Sequence, residues 1–581
     1  MIQIDVKEFN KDTVESIQSI RHKGIAVGTN WPVVYILNNS EEAYVGETVH
    51  AANRMAQHWQ KPERRKLTEV RIISDEKFNK SCILDLESFL IKYMGADGKF
   101  VLQNGNAGIY DHQYYQKEEY QELFKEIWKK LIKSGVVDND LIEIENSELF
   151  KYSPFKALGK EQIESEEEIL KALAHFDNSP EGVDVIVRGG AGTGKTILAI
   201  YLLKLIEDIN AEYSITSKAE NDSVEDYLDS FGGMLPYIEN IRSIKKIGIV
   251  VPQKSLQTSL KDVFKTVKGL NAQMVLSPRE VVKNYEATKE KYDLLIVDEA
   301  HRLKCKYQGH LSNYPSFNEC NEILGLDSLY GTELDWIMMC SRNQILFRDE
   351  LQTVRPCDIP GQDFLKIIDK YKKNTITSSL SNQWRCAGGN DYVDYVRNIL
   401  SGTQKDFCKI NNYDVLLYEN CDEMIKAIKQ KDKDLGLCRV AAGYAWKWNA
   451  KHEPKGQTIN DVKIQGHEYH WNKTYDNWIT SKNAINEIGC IHTVQGYDLN
   501  YAGIIIGEDL KYDPDKKVLY ADKSCYFDQQ GKSGVAFIPG ALLEYITNIY
   551  LTLLTRGIKG TYIYVCNNEL REYFKKFFTV V

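Results

Sequence analysis

GGAGTGKT at residues 189–196 (Gly189, Gly190, Ala191, Gly192, Thr193, Gly194, Lys195 and Thr196) is the stretch whose reading decides the fold. It follows the apolar run VDVIVRG and opens the apolar helical stretch ILAIYLLKLI. That context separates a phosphate loop from a chance glycine-rich match. The glycines let successive backbone N–H groups converge on phosphate oxygens at a helix N-terminus, where the dipole also favours anions. Lys195 supplies a point charge for the outer phosphates, and the Thr196 hydroxyl is placed to hold Mg2+.

Moving outward, LLIVDEAH carries Asp298 to the C-terminal end of a second apolar strand. There Asp298 can hold the metal's water shell, while Glu299 orients or deprotonates an attacking water. Further apolar, β-branched runs (KIGIVVP, NQILF, YAGIIIG, TYIYVCN) alternate with helical stretches. The expected class is therefore α/β, with parallel strands covered on both faces. Ser165 followed by Glu168 reads as a capping box for a helix around Ile169–Phe176. Segments 207–245, 303–335, 446–480 and 510–535 are polar and read as irregular insertions.

A chain of 581 residues exceeds one hydrophobic core, and two to four domains are expected. No internal repeat is present. A net charge of -9 argues against a generally basic, sticky protein, yet a local basic groove suffices for nucleic acid. The first 25 residues mix charged side chains, unlike a signal peptide, and no run approaches a bilayer span. The 12 cysteines are scattered without a Cys-x-x-Cys pair, as in a cytoplasmic protein with reduced thiols. His301, Cys305, His310 and Cys320 fit no common zinc spacing.

Other residues fall in the order that an ATP-driven motor on nucleic acid needs. Gln162, in LGKEQ just upstream of the first strand, suits an adenine edge. IVVPQKSLQ suits a nucleic-acid strand, and FRDELQ places Asp349 and Gln352 to sense a γ-phosphate. NQWRC supplies Arg385, IHTVQGYD supplies Thr493 and Gln495, and LLTRGIKGTYIYV supplies Arg556. Arginines reaching across a cleft offset charge on the equatorial phosphate oxygens of the transition state.

From Ser153 onward the chain resembles a superfamily 1 helicase. More narrowly, SNQWRCAGGNDYVDYV, CRVAAGYAWKW and LLTRGIKGTYIYV resemble the helicase domain shared by group III Schlafen proteins and many bacterial proteins. The resemblance implies two RecA-like lobes, about 153–360 and 361–581, with ATP between them and Mg2+ as the accompanying ion. It also implies a nucleic-acid partner, DNA rather than RNA, and leaves room for partner proteins or a homo-oligomer.

Upstream, VVYIL and AYVGET place Tyr35 and Tyr44 on two strands joined by a polar turn. The helix that follows carries Arg54 and His58, an i, i+4 pair on one face. ILDLESFLIKY presents Glu87 from a further helix, and VLQNGN carries Asn104. These motifs resemble a GIY-YIG nuclease domain, with VVY standing for the first motif and YVG for the second. Val33 and Val34 replace the Gly and Ile of that motif and preserve the strand.

The resemblance implies that Glu87 anchors one Mg2+, that Arg54 offsets transition-state charge, and that Tyr35, helped by Tyr44 or His58, activates water. It implies that Asn104 braces the site. KPERRKL adds Lys61, Arg64, Arg65 and Lys66, read as a solvated loop or as phosphate contacts. The expected domains are a nuclease module at 1–115, a helical link at 116–152 and the two lobes. Together they describe an ATP-dependent nuclease-helicase suited to defence against phage or to DNA repair. The rival readings are an ATP-gated switch or assembly protein without processive unwinding, and a nuclease directed at RNA or tRNA.

Overall fold

The computed structural model describes residues 2–104, 117–155, 158–175, 179, 181–190, 192–210, 238–306, 315–349, 357–371, 373–383, 385–450, 458–473, 478–494, 497–532 and 540–581. They group into two compact units. One comprises Met1–Asn178, Thr196–Ile249 and Gln257–Val275, and the other Ser179–Lys195, Val250–Leu256 and Leu276–Val581.

The first unit begins with a five-stranded sheet. Its strands are β1 (Gln3–Glu8), β2 (Val33–Asn38), β3 (Glu42–Thr48), β4 (Glu69–Ser74) and β5 (Val101–Leu102), in the order β1-β4-β2-β3-β5. The run VVYILN is buried throughout as the middle strand, and β2 pairs antiparallel with β3 so that Tyr35 faces Gly46. One face packs Tyr35, Leu37, Val70 and Ile72 against Ala51, Ala52 and Met55 of the helix Ala51–Gln60. The longer helix Lys80–Asp97 is capped by Asn79, whose side chain accepts from the Cys82 N–H, and ends at Gly98 with φ 74°.

The stretch expected as a helical link consists of helices Lys117–Lys133, Leu141–Glu145 and Glu148–Lys151. Its apolar stripe is not left to solvent. Phe124 and Trp128 meet Phe89 and Tyr93 of the Lys80–Asp97 helix, with ring centroids 5.5 Å apart for Phe89–Phe124 and 5.8 Å for Tyr93–Trp128. The helix expected from Ile169 runs instead from Lys160 to His175, and Ser165 is buried inside it rather than capping it. Its start is closed by Gln162, whose Oε1 accepts from the Gly159 N–H at 2.9 Å, the side-chain half of a capping box.

Two sheets of mainly parallel strands follow. Strands β6 (Val183–Gly189), β7 (Ile247–Val250), β8 (Val275–Leu276), β9 (Tyr292–Val297), β10 (Ser341–Arg348) and β11 (Asn374–Leu380) give the order β11-β6-β10-β9-β7-β8. β10 lies between β6 and β9 in parallel register, and β11 flanks β6, also parallel. This sheet therefore continues beyond residue 360, the boundary expected between the lobes. NTITSSL is a polar edge strand with no apolar run, so its pattern did not announce it.

A second sheet holds β12 (Asp414–Leu417), β13 (Arg439–Ala442), β14 (Val462–Ile464), β15 (His467–Trp471), β16 (Glu487–Cys490), β17 (Leu499–Ile506), β20 (Gly557–Val565) and β21 (Thr579–Val580). Its order is β14-β15-β16-β13-β17-β20-β12-β21, with a separate hairpin β18 (Leu510–Asp513) and β19 (Val518–Ala521). The central pairs β13–β17 and β17–β20 are parallel. The chain is thus mixed α/β, with two largely parallel sheets after an N-terminal α/β domain. The polar segments expected to be irregular contain the helix Pro315–Ile323 and the hairpins β14–β15 and β18–β19. Among the described residues no helix is long and apolar enough to cross a membrane.

Candidate nucleotide cleft and nuclease site

Strand β6 ends at Gly189 and the helix Lys195–Asn210 starts six residues on, so the glycine-rich loop is held between two buried elements. Gly192 and Gly194 both take φ 81°, a left-handed conformation that side chains other than glycine resist. Gly192 is also tightly enclosed. A Cβ there would collide with the Gln383 amide and sit 2.7 Å from the Arg385 Cβ. Thr193 closes the turn by donating to the Gly190 carbonyl at 3.1 Å. Lys195 is buried, donates to the Gly189 and Gly190 carbonyls at 2.8 and 2.7 Å, and lies 3.7 Å from the Asp349 carboxylate. Thr196 follows on the same helix.

Asp298 is fully buried just past β9, its N–H donating to the Val250 carbonyl at 3.0 Å. Glu299 follows in a left-handed conformation with φ 53°, a strained backbone that turns its carboxylate toward His301 and Arg302. His301 Nε2 lies 3.2 Å and Arg302 Nε 3.3 Å from that carboxylate. Burial acts to raise the Glu299 carboxyl, but His301, Arg302 and Lys195 outweigh it and hold the group ionised. His301 Nδ1 accepts from the Asp349 N–H at 3.2 Å, so the imidazole ties Glu299 to Asp349.

Arg385 follows β11 of the first sheet, and Arg556 precedes β20 of the second. Arg385 pairs with Asp498, and its N–H donates to Gln383 Oε1 at 2.6 Å. Arg556 stands between the helix Ala541–Leu554 and β20, fully buried, with Nη1 donating to the Tyr497 carbonyl at 3.2 Å. Arg385 Nη1 and Arg556 Nε are buried with no hydrogen-bond partner among the described residues. Burial and then the charge of Arg385 push the Arg556 guanidinium down to about 9, although Asp498 and Glu299 pull the other way. Two crowded arginines with unmet N–H groups beside a phosphate loop suit an anionic triphosphate.

Gln162, on the Lys160–His175 helix, spends its Oε1 on Gly159. Thr493 is buried and closes its own turn, accepting from the Cys490 N–H and donating to the Cys490 carbonyl. Ala191, Gln352 and Gln495 lie outside the described residues.

In the N-terminal domain the side chains named from sequence converge. The Tyr35 hydroxyl is 2.8 Å from His58 Nε2 and accepts from Arg54 Nε at 3.3 Å. With Arg54 as donor, the hydroxyl proton is directed to His58. The Tyr44 ring completes the cluster, 5.1 Å from the His58 ring and 6.2 Å from Tyr35. Gly46 is required here, because a Cβ would occupy the space of the Tyr35 hydroxyl. Glu87, half-buried on the Lys80–Asp97 helix, bears electrostatically on both Tyr35 and Arg54.

Burial, then Tyr44, pushes the Tyr35 phenol well above its ordinary value, against the opposing pull of Arg54. Burial, followed by the charges of Arg54, Arg64 and Lys61, pushes His58 well below its own. Tyr35 is thus a neutral phenol, and His58 a neutral imidazole. Asn104 clamps β3, its Oδ1 accepting from the Val45 N–H at 3.0 Å and its Nδ2 donating to the Val45 carbonyl at 2.9 Å.

His301, Gln383 and Asp498 were not read from sequence as parts of the cleft. His301 stands in LLIVDEAH, two residues after the acidic pair, which was a usable signal. Gln383 and Asp498 act through contacts between distant segments and left none.

An uncharacterized protein of Saccharomyces cerevisiae, YPL245W, is 24% identical over 412 residues, covering 67% of this chain and 82% of its own. Among solved structures, the arterivirus nonstructural protein 10 helicase is 11% identical with a TM-score of 0.27 over 69% of this chain. That likeness covers 63% of the viral chain, less than two thirds of its length. Pif1 helicase from Bacteroides, in complex with ADP-AlF3 and ssDNA, is 11% identical with a TM-score of 0.26, covering 70% of this chain and 92% of its own. Residues 183–567, about two thirds of the sequence, match the Schlafen group 3 DNA/RNA helicase domain, and the chain belongs to that family.

Proposed function

We propose that this protein is an ATP-dependent nuclease-helicase in which a GIY-YIG nuclease module precedes the helicase domain and cuts DNA. The observation that carries the nuclease half is the Tyr35 hydroxyl held between Arg54 and His58, with Glu87 bearing on two of the three. A buried phenol is a poor base by itself. Here it need not ionise. As water attacks phosphorus, its proton passes to the Tyr35 oxygen while the Tyr35 proton moves to His58 Nε2, so the neutral imidazole is the base. Arg54 offsets charge gathering on the non-bridging oxygens.

Glu87 is the carboxylate that would hold Mg2+, an ion that needs one or two carboxylates and takes its other oxygens from water and phosphate. When bound, it would stabilise the departing oxygen. In the helicase domain, Gly189–Thr196 would cradle the phosphates of ATP, Gln162 would read its base, and Thr196 and Asp298 would hold Mg2+. Glu299, ionised and tied to Asp349 through His301, would orient the attacking water. Arg385 and Arg556 would offset charge on the transferred phosphoryl group.

Joining motor and nuclease on one chain raises the concentration of the cutter at the motor's substrate. That coupling suits defence against foreign DNA, or DNA repair, and a cytoplasmic protein. The test is cleavage and ATP turnover scored together on single-stranded, duplex and forked DNA and on RNA, each with and without ATP and Mg2+. Mg2+-dependent DNA cutting together with DNA-stimulated turnover is expected. Turnover with every nucleic acid left intact contradicts the nuclease half. Cutting set by nucleotide without strand displacement makes the protein a switch, and cutting of RNA alone moves the substrate.

A further inference from the structure

The motif KPERRKL leaves three basic side chains on a short turn after the Ala51–Gln60 helix, and they do not share a fate. Arg65 and Lys66 are exposed, whereas Arg64 is 7% exposed. Its guanidinium carbon lies 3.7 Å from the centroid of the Tyr44 ring, at stacking distance. Arg64 Nη1 donates to Gln103 Oε1, and Gln103 Nε2 donates in turn to the Glu42 carboxylate. The Gln103 N–H donates to the Ala43 carbonyl at 2.8 Å, and Asn104 grips Val45 on the other side of Tyr44. The backbone on both sides of Tyr44 is therefore held from the two residues that follow β5, while Arg64 lies over its ring. His58 stands 5.1 Å from the same ring.

We propose that Arg64 is a positioning residue of the nuclease site, pressing Tyr44 toward the Tyr35–His58 pair instead of gripping the phosphate backbone. The proposal rests on the nuclease reading of this domain. A guanidinium tethered at one edge and stacked on a ring has a fixed plane, which a lysine ammonium cannot reproduce. Its charge also faces His58, together with Arg54 and Lys61, while the Tyr35 and Tyr44 rings pack against it. Removing that charge makes His58 easier to protonate. The base is then lost at a higher pH.

The experiment measures Mg2+-dependent DNA cleavage by the full-length protein, wild type against Arg64→Gln and Arg64→Lys, with ATP turnover as the check that each chain is folded. Arg64→Gln is expected to lower kcat about 10- to 100-fold with KM within about twofold, as a misplaced catalytic group does. It also moves the acid limb of the pH profile upward. Arg64→Lys returns the limb to its place and recovers only part of the rate. Should Arg64→Gln fail to fold, the fall in kcat at constant KM in Arg64→Lys carries the test.

A rise in KM and a weaker salt dependence of binding with kcat intact would make Arg64 a phosphate contact and overturn the proposal. So would full activity accompanied only by a lower Tm. A wild-type protein that cuts nothing removes the nuclease reading and this proposal with it. Wild-type cutting with Arg64→Gln unaffected removes this proposal alone.

Discussion

Gly192 shows how closely the glycine-rich loop is matched to the segment that follows β11. An alanine there must hold φ 81° and push aside Gln383 and the Arg385 stem. The backbone strain alone costs roughly 1–2 kcal/mol. Gly192→Ala is therefore expected to lower ATP turnover at least about tenfold, in line with 1.4 kcal/mol per decade, and a steady-state assay checks it. Arg556→Ala removes a guanidinium that is buried with an unmet N–H, and its loss is expected to lower kcat about 10³-fold, as for an arginine finger, with little change in KM. The phosphate loop, the acidic pair and both arginines could be named from the sequence because each sits in a short run with its own context. His301 and Arg64 could not be given their places. Their partners, Asp349 and Gln103, stand 48 and 39 residues away, and only the folded chain brings them together.

The apolar strands were legible because a buried parallel strand is apolar along its whole length. VDVIVRG, YDLLIVDEA, NQILF, YAGIIIG and TYIYVCN all supply strands, as β6, β9, β10, β17 and β20. β11 is polar at five of its seven positions and lies at a sheet edge, so its run carries no comparable signal. The connection from β17 to the β18–β19 hairpin holds a buried acid that no pattern advertised. The Asp509 carboxylate accepts from the Tyr550 hydroxyl at 2.5 Å, joining this connection to the helix Ala541–Leu554. Burial pushes Asp509 up to about 7 despite the Tyr550 hydrogen bond, against an ordinary value of 3.8. A raised folded-state value makes its contribution to stability fully present below pH 3.8 and lost as pH rises through about 7. Relative to Asp509→Asn, the wild type is expected to lose stability across that window by at most about 1.4 kcal/mol per pH unit. Paired denaturation curves at pH 4 to 8 check this, and parallel pH dependences in the two proteins contradict it.

Two kinds of phosphate chemistry are assigned to one chain, and each has its own acid–base apparatus. On the proposed function the motor would use an ionised carboxylate, Glu299, and the cations Arg385 and Arg556. The nuclease, on the same proposal, would use neutral groups, Tyr35 and His58, beside one cation and one carboxylate. They are expected to fail independently. Lys195→Ala should lower ATP turnover about 10²-fold or more by removing charge stabilisation of the phosphates, and nicking of a DNA already single-stranded should persist. The most direct measurement is cleavage of forked DNA by full-length Glu87→Gln beside the wild type, with Mg2+, ATP and simultaneous ATP turnover. The account predicts product from the wild type, none from Glu87→Gln, and equal turnover from both. Equal cutting by the two proteins would contradict it.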